Sequence, residues 1–103
     1  MKKISLTQGY FILDENKINR AKTHFINFYK QEALKLIPER VDYFKRKLGV
    51  NPKKIRVMEL KNRWASRSTS GLNFHWKMML APISVIDYVI VHELAHFLKE
   101  GHS

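Results

Sequence analysis

Residues 83–98 read ISVIDYVIVHELAHFL, an apolar stretch that two acidic residues and two histidines interrupt. Apolar side chains would occupy almost every side of a helix formed by this stretch, and such a helix is normally buried. Pro82 near the first turn, followed by a capping box of Ser84 and Asp87, is expected to begin the helix. The stretch therefore predicts a buried helix in the C-terminal part of the chain.

The polar residues of this helix have the spacing of a metal site. His92 and His96 are four positions apart, so both imidazoles can reach one ion while Glu93 points slightly aside. Zinc held by such ligands keeps one position open for water, and a neighbouring carboxylate can act as general base on that metal-bound water. The HExxH pattern therefore predicts a zinc site, and a third histidine, His102, strengthens the prediction.

Burial gives a second argument for the metal. A charged group that is buried without a partner costs several kcal/mol, and a metal ion would supply partners for His92, Glu93 and His96. The alternative interpretation is a purely structural cluster of histidine and glutamate. Metal content is the property that distinguishes the two.

Length and composition indicate one small domain spanning residues 1–103. The chain has no cysteine, so any zinc must be bound through nitrogen and oxygen. The first residues, MKKISLTQGYFIL, lack the unbroken apolar core of a signal peptide, and polar residues interrupt the C-terminal helix too often for a membrane span. We therefore predict a cytoplasmic protein.

The net charge of +10 is distributed unevenly along this basic protein. Residues 1–63 carry 16 lysines and arginines against 6 acidic residues, whereas residues 64–103 carry 3 of each. Basic N-terminal helices could attract nucleic acid or another polyanion. The lysines are spread along helices without an RNA-binding signature, which favours a solvated surface that keeps the protein soluble.

Two apolar patterns, one in residues 18–37 and one in residues 41–48, predict two N-terminal helices. Asp14 is a candidate N-cap for the first, Pro38 is expected to break or restart the helix, and Gly49 is expected to end the second as a C-cap. Aromatic residues of the first helix, among them Phe25 and Phe28, recur at helical spacing. We therefore predict that they pack in the core.

Two apolar patterns predict strands between the helices. One lies at residues 55–60; the other alternates at residues 72–76 and continues to residue 80. Together they indicate a small antiparallel hairpin or sheet with a wide, serine-rich loop between the strands. With the helices, this gives an α+β fold of minimal zincin-like type, closed by the buried HExxH helix.

Several motifs of the second half point to one family. Residues 63–66, RWAS, are similar to the motif RWGS of that family. Residues 87–96, DYVIVHELAH, match its most specific motif. Residues 80–82, LAP, and 101–103, GHS, add weaker matches to the same family. On these motifs the chain resembles the YgjP-like metal-dependent hydrolases. These are bacterial zincin-type, metallopeptidase-like proteins, related in motif to the SprT and WLM groups.

The resemblance implies a ligand set and a base. Carried over by position, His92, His96 and His102 would bind one zinc ion, and Glu93 would be the catalytic general base. The family also has an extra β-rich segment before the helices and a Phe-Trp pair with a further helix after the third histidine, and this chain is expected to have neither. We therefore expect a shortened member or a fragment, in which a fraying terminus weakens metal binding by His102.

Three positions differ from the family pattern. Ala65 stands where glycine is usual, Arg67 where cysteine is usual, and His75 near a usual asparagine. These differences are expected to affect the substrate pocket rather than the fold.

Four residues are further candidates for substrate contact or support of the site: Arg63, Trp64, Arg67 and His75. Either arginine could stabilise developing negative charge, although solvated loop arginines are the simpler interpretation. His75 could support the site from a second layer, with solvent exposure as the alternative.

Three functions are compatible with these features. The first is a zinc-dependent hydrolase of peptide bonds, and the second is a metal-dependent hydrolase of nucleotides or other phosphate esters. The third is a non-catalytic, shortened zincin module that binds nucleic acid or a protein partner. The substrate is accordingly an unknown peptide or phosphate-containing molecule, and no membrane association is expected.

Overall fold

The secondary structure of the described part of the chain, residues 3–6, 10–69 and 71–100 of this computed structural model, is mixed. Its elements are β1 (Lys3–Leu6), β2 (Tyr10–Asp14), α1 (Glu15–Leu48), β3 (Lys54–Met58), β4 (Ala65–Arg67), β5 (Gly71–His75), a 3-10 helix (Trp76–Leu80) and α2 (Ile83–Lys99). These elements confirm the α+β class. The antiparallel pair β1–β2 lies before α1, where no β segment was expected from the sequence.

One continuous helix replaces the two predicted N-terminal helices. α1 runs through Pro38 without a break and ends before Gly49, which has a φ of +70°. Pro38 has no N–H to donate to the carbonyl of Leu34, the residue one turn earlier, and Leu34 is 51% exposed. Buried Ile37 and Val41 lie on either side of the proline and hold both halves of α1 against the core.

The sheet of the second half is mixed rather than an antiparallel hairpin. Its strand order is β3-β5-β4, with β3 parallel and β4 antiparallel to β5. The two strands predicted from the sequence are β3 and β5, and the serine-rich loop between them contains β4. Alternating apolar residues identify a strand without giving its direction, so the prediction of an antiparallel pair was wrong.

The second predicted strand ends earlier than expected. β5 stops at His75, and the residues from Trp76 to Leu80 form the 3-10 helix. The side chain of His75 caps this helix, because its Nδ1 accepts a hydrogen bond from the backbone N–H of Lys77 at 3.0 Å. The apolar pattern predicted that the strand continues to residue 80, but the hydrogen bond from Lys77 to the side chain of His75 favours a 3-10 helix there.

The core lies where α1, β5, the 3-10 helix and α2 meet. β5 is the central strand of its sheet, and all of its residues except Asn73 are buried. The buried apolar residues are Ala33, Ile37, Val41, Val50, Leu72, Phe74, Trp76, Met78, Ile86, Ile90, Leu94 and Phe97.

α2 is buried on one side, which corrects the prediction of a helix buried all round. Ile86, Ile90 and Leu94 point into the core, whereas Ile83 is 50% exposed and Tyr88 is 69% exposed. The rest of the described chain therefore covers only part of the apolar surface of α2. Neither helix of the described residues is long and apolar enough to pass through a membrane.

The first turn of α2 lacks the predicted capping box. Pro82 is the N-cap and makes no side-chain capping hydrogen bond. Asp87 instead accepts two hydrogen bonds from Arg40 of α1, from Nε and Nη2, both at 2.8 Å. This pair raises the pKa of Arg40 and fastens α1 to α2.

Similarly, the predicted core position of two aromatic residues of α1 is wrong. Phe25 is 46% exposed and Phe28 is 58% exposed. The rings of Phe25 and Trp76 form a T-shaped pair, with their centroids 6.3 Å apart and their planes at 80°. The helical spacing of these rings was correct, but the core begins further along α1, at Ala33.

Candidate metal centre

The structure brings together two of the predicted ligands. His92 and His96 lie on α2 with their ring centroids 4.5 Å apart and their planes at 71°. His92 is exposed and also stacks on Tyr88, with 5.9 Å between the ring centroids. Two imidazoles on an accessible helix face are nitrogen donors of the kind that zinc binds.

Glu93 has a protein partner, and this changes the argument from burial. The residue is 8% exposed, and its Oε1 accepts a hydrogen bond from Arg67 Nη1 at 2.8 Å. A metal is therefore not required to compensate the buried carboxylate. The case for a metal depends on the two neighbouring histidines and on the motif rather than on unpaired burial.

Arg67 bridges the carboxylate of Glu93 in α2 and that of Glu100, the C-cap residue of the same helix. Its Nε lies 3.2 and 3.3 Å from the two carboxylate oxygens of Glu100, and its Nη2 lies 3.2 Å from Oε2 of that residue. The hydrogen bonds that Arg67 donates to Glu100 and Glu93 raise the pKa of Arg67 above its ordinary value. The last residue of β4 is thus attached to α2 at two points.

Glu100 was not identified from the sequence. It lies seven residues after Glu93, which places both on the same side of the helix two turns apart. This spacing was visible in the sequence, but the arginine that joins the two carboxylates comes from another element.

A polar cavity of about 510 Å³ opens beside this bridge. Its lining residues are Arg63, Ser66, Arg67, Ser68, Thr69 and Glu100. The two candidate arginines therefore share one cavity, and the exposed side chain of Arg63 is available there for a ligand. The hydroxyl residues of the lining come from the serine-rich segment and were not predicted as site residues.

His75 is buried, so the predicted alternative of solvent exposure is wrong. Its side chain is 7% exposed, and its Nε2 lies 3.2 Å from Oε2 of Glu59. Glu59 also accepts a hydrogen bond from Trp76 Nε1 at 3.0 Å, and this bond lowers the pKa of the carboxyl group. The described contacts of His75 thus belong to the junction between β5 and the 3-10 helix.

Trp64 lies beside this junction. Its carbonyl accepts a hydrogen bond from the backbone N–H of His75 at 2.8 Å, and its side chain is 46% exposed. The backbone contact gives Trp64 a structural role at the start of β4.

The predicted third ligand, His102, lies outside the described residues. Within residues 3–6, 10–69 and 71–100, no three histidine, cysteine, aspartate or glutamate side chains form a group that could hold a metal ion. The donor chemistry of His92 and His96 fits zinc, and a complete site needs at least one more ligand.

The comparisons with known proteins support the motif. Neither the curated proteins nor the solved structures give a significant match to the chain. The model of the family described as YgjP-like, metallopeptidase domain, matches residues 2–103. A metal-dependent hydrolase is the general function that this match supports. With nearly its whole length matched, the chain belongs to the YgjP-like metallopeptidase domain family.

Proposed function

We propose that this protein is a zinc-dependent hydrolase of the metallopeptidase type. His92, His96 and His102 are the proposed ligands of one zinc ion, and Glu93 is the proposed general base. The adjacent imidazoles of His92 and His96, 4.5 Å apart on a helix face that solvent reaches, are the observation that carries this proposal.

The chemistry assigned to the chain is a proton transfer. When bound, zinc supplies a Lewis acid that lowers the pKa of water toward ~7. Glu93 accepts the proton of the attacking water through the carboxylate oxygen that Arg67 does not hold. The near-complete burial of Glu93 restrains the position of this carboxylate.

Metal analysis and turnover test the proposal in sequence. We expect the purified wild-type protein to contain close to one equivalent of zinc, and His92→Ala to contain far less. We expect zinc-loaded protein to cleave casein, and Glu93→Gln to bind zinc but to lose activity by roughly 100-fold or more, the size of a general-base contribution. Absence of transition metal from both proteins, or full turnover by Glu93→Gln, would contradict the proposal.

The polar cavity supports a second candidate, a hydrolase of nucleotides or other phosphate esters. Arg63 and three hydroxyl side chains are among the residues that line this cavity, and guanidinium and hydroxyl groups are the usual partners of phosphate. Nucleoside triphosphates and casein, offered separately to the zinc-loaded protein, distinguish the two reactions. An Arg63→Ala variant should lose turnover of the triphosphates and retain cleavage of casein.

A third candidate, a non-catalytic module for nucleic acid or a protein partner, is favoured by the charge distribution alone. The excess of ten positive charges within residues 1–63 would give salt-dependent, non-specific binding to DNA or RNA. Retention of the protein on a nucleic-acid column at low salt, with release as salt rises, would support this candidate.

A further inference from the structure

We propose that Arg67 is a positioning residue for Glu93. It holds one oxygen of the carboxylate and thereby leaves the other to accept the proton of the reacting water. This inference rests on the proposed function, because it concerns the orientation of the proposed base.

The contacts of Glu93 give the first argument. Arg67 Nη1 lies 2.8 Å from Oε1, and among the described residues no other side chain donates a hydrogen bond to Glu93. Glu93 is 8% exposed, so one strong contact and the surrounding packing determine the orientation of its carboxylate. A charge-assisted hydrogen bond of this length restrains a carboxylate more tightly than a neutral one does.

The contacts of Arg67 give the second argument. Its Nε and Nη2 bind Glu100 while Nη1 binds Glu93, so the planar guanidinium is fixed at both ends. A guanidinium presents its donors in a rigid fork, whereas an ammonium group is a point charge that cannot reproduce this bridge. Glu100 therefore orients the arginine that orients the base.

The same contacts separate this role from stabilisation of charge on a substrate. Two carboxylates already contact Arg67, so its positive charge is largely compensated within the protein. Arg63, which also lines the cavity, is the arginine left for an anionic group of a substrate. Arg67 is thus assigned to Glu93 rather than to the reacting molecule.

Four variants test the inference: Arg67→Ala, Arg67→Lys, Glu100→Gln and, as control, Arg40→Ala. The control removes another arginine that is fastened to α2, but its partner is Asp87 and not Glu93. Two properties are measured on each folded protein: the dissociation constant of zinc, by competition with a chelator, and kcat and KM for a fluorogenic casein peptide.

We expect Arg67→Ala to lower kcat by about 10- to 100-fold, the usual effect of removing a residue that orients a metal-site group. KM should change little, and zinc should bind at least as tightly, because a positive charge has been removed near the site. Arg67→Lys should recover part of kcat, Glu100→Gln should lose less than Arg67→Ala, and Arg40→Ala should keep kcat once folded and zinc-loaded.

Two results would contradict the positioning role of Arg67 while leaving the proposed function intact. One is an unchanged kcat in Arg67→Ala; the other is a parallel loss of kcat and zinc affinity, which would indicate a merely structural contact. Failure of the wild-type protein to bind zinc or to cleave any peptide would instead contradict the proposed function, and the positioning role with it.

Discussion

At the scale of single residues, Gly71 lies where β5 closely approaches β3. A Cβ atom at this position would lie 2.2 Å from the carbonyl oxygen of Lys54 in β3, which no side chain can occupy without moving the backbone. We expect Gly71→Ala to lower the free energy of unfolding by about 1–3 kcal/mol, the usual range for overpacking. Urea denaturation followed by circular dichroism measures this change.

A matched glycine separates the steric effect from the conformational one. Gly49 has a φ of +70°, but a Cβ there would meet no atom within 4 Å. Gly49→Ala should therefore lose about 1 kcal/mol through its backbone conformation alone. A Gly71→Ala protein as stable as the wild type would contradict the close pairing of β3 with β5.

The carboxyl group of Glu59 should make the stability of the folded protein depend on pH in the acidic range. Its hydrogen bond from Trp76 lowers its pKa below the ordinary value of 4.5 in the folded protein. A lowered pKa gives stability that is present above the unfolded value and is lost as pH falls through the folded value. We expect wild-type protein to lose stability as pH falls below 4.5, and Glu59→Gln to show a shallower loss.

Urea midpoints measured from pH 6 downward would show this difference in slope. Glu39→Gln, on the exposed side of α1, is the matched control and should keep the wild-type slope. Equal slopes for Glu59→Gln and wild type would argue against the contact with Trp76.

At the scale of elements, the pair of Arg40 and Asp87 should couple α1 to α2. Both side chains are about one-quarter exposed, and two hydrogen bonds of 2.8 Å join them. The pair of Arg46 and Asp42 within α1 has a similar distance of 2.9 Å but is far more exposed. Because water screens exposed ion pairs, a double-mutant cycle should give a larger coupling for the first pair than for the second. Equal couplings would mean that Arg40 does not fasten the helices.

The helices were predictable because their signals are local. The spacing of His92 and His96, the glycine after α1 and the apolar period of both helices were all visible in the sequence. Pro38 was misleading, because the cost of a proline in a helix is offset by burial of Ile37 and Val41, which depends on tertiary packing.

Strand direction and the partner of Glu93 could not be predicted, because both depend on distant residues. β4 is only three residues long and lies in a polar segment without an apolar period. Arg67 is 26 residues from Glu93 in sequence, and no spacing rule connects them. The candidate site residues are therefore predictions from local sequence, whereas the partner of Glu93 was found only in the structure.

At the scale of the whole molecule, zinc should stabilise the fold if the proposed site binds it. A ligand that binds the folded state adds about 2.7 kcal/mol at a concentration 100 times its dissociation constant. We expect zinc to raise the melting temperature of the wild-type protein and to have little effect on His96→Ala. An equal rise in both proteins would indicate binding elsewhere on the chain.

The uneven burial of α1 has a consequence for local opening of the fold. Its buried residues are Ala33, Ile37 and Val41, whereas Phe25 and Phe28 near its beginning are largely exposed. Segments with few buried contacts open without unfolding the rest of a protein, so backbone amides there exchange their hydrogens sooner. Amide protection should rise along this single helix, from rapid exchange in its first turns to exchange limited by global unfolding around Ile37.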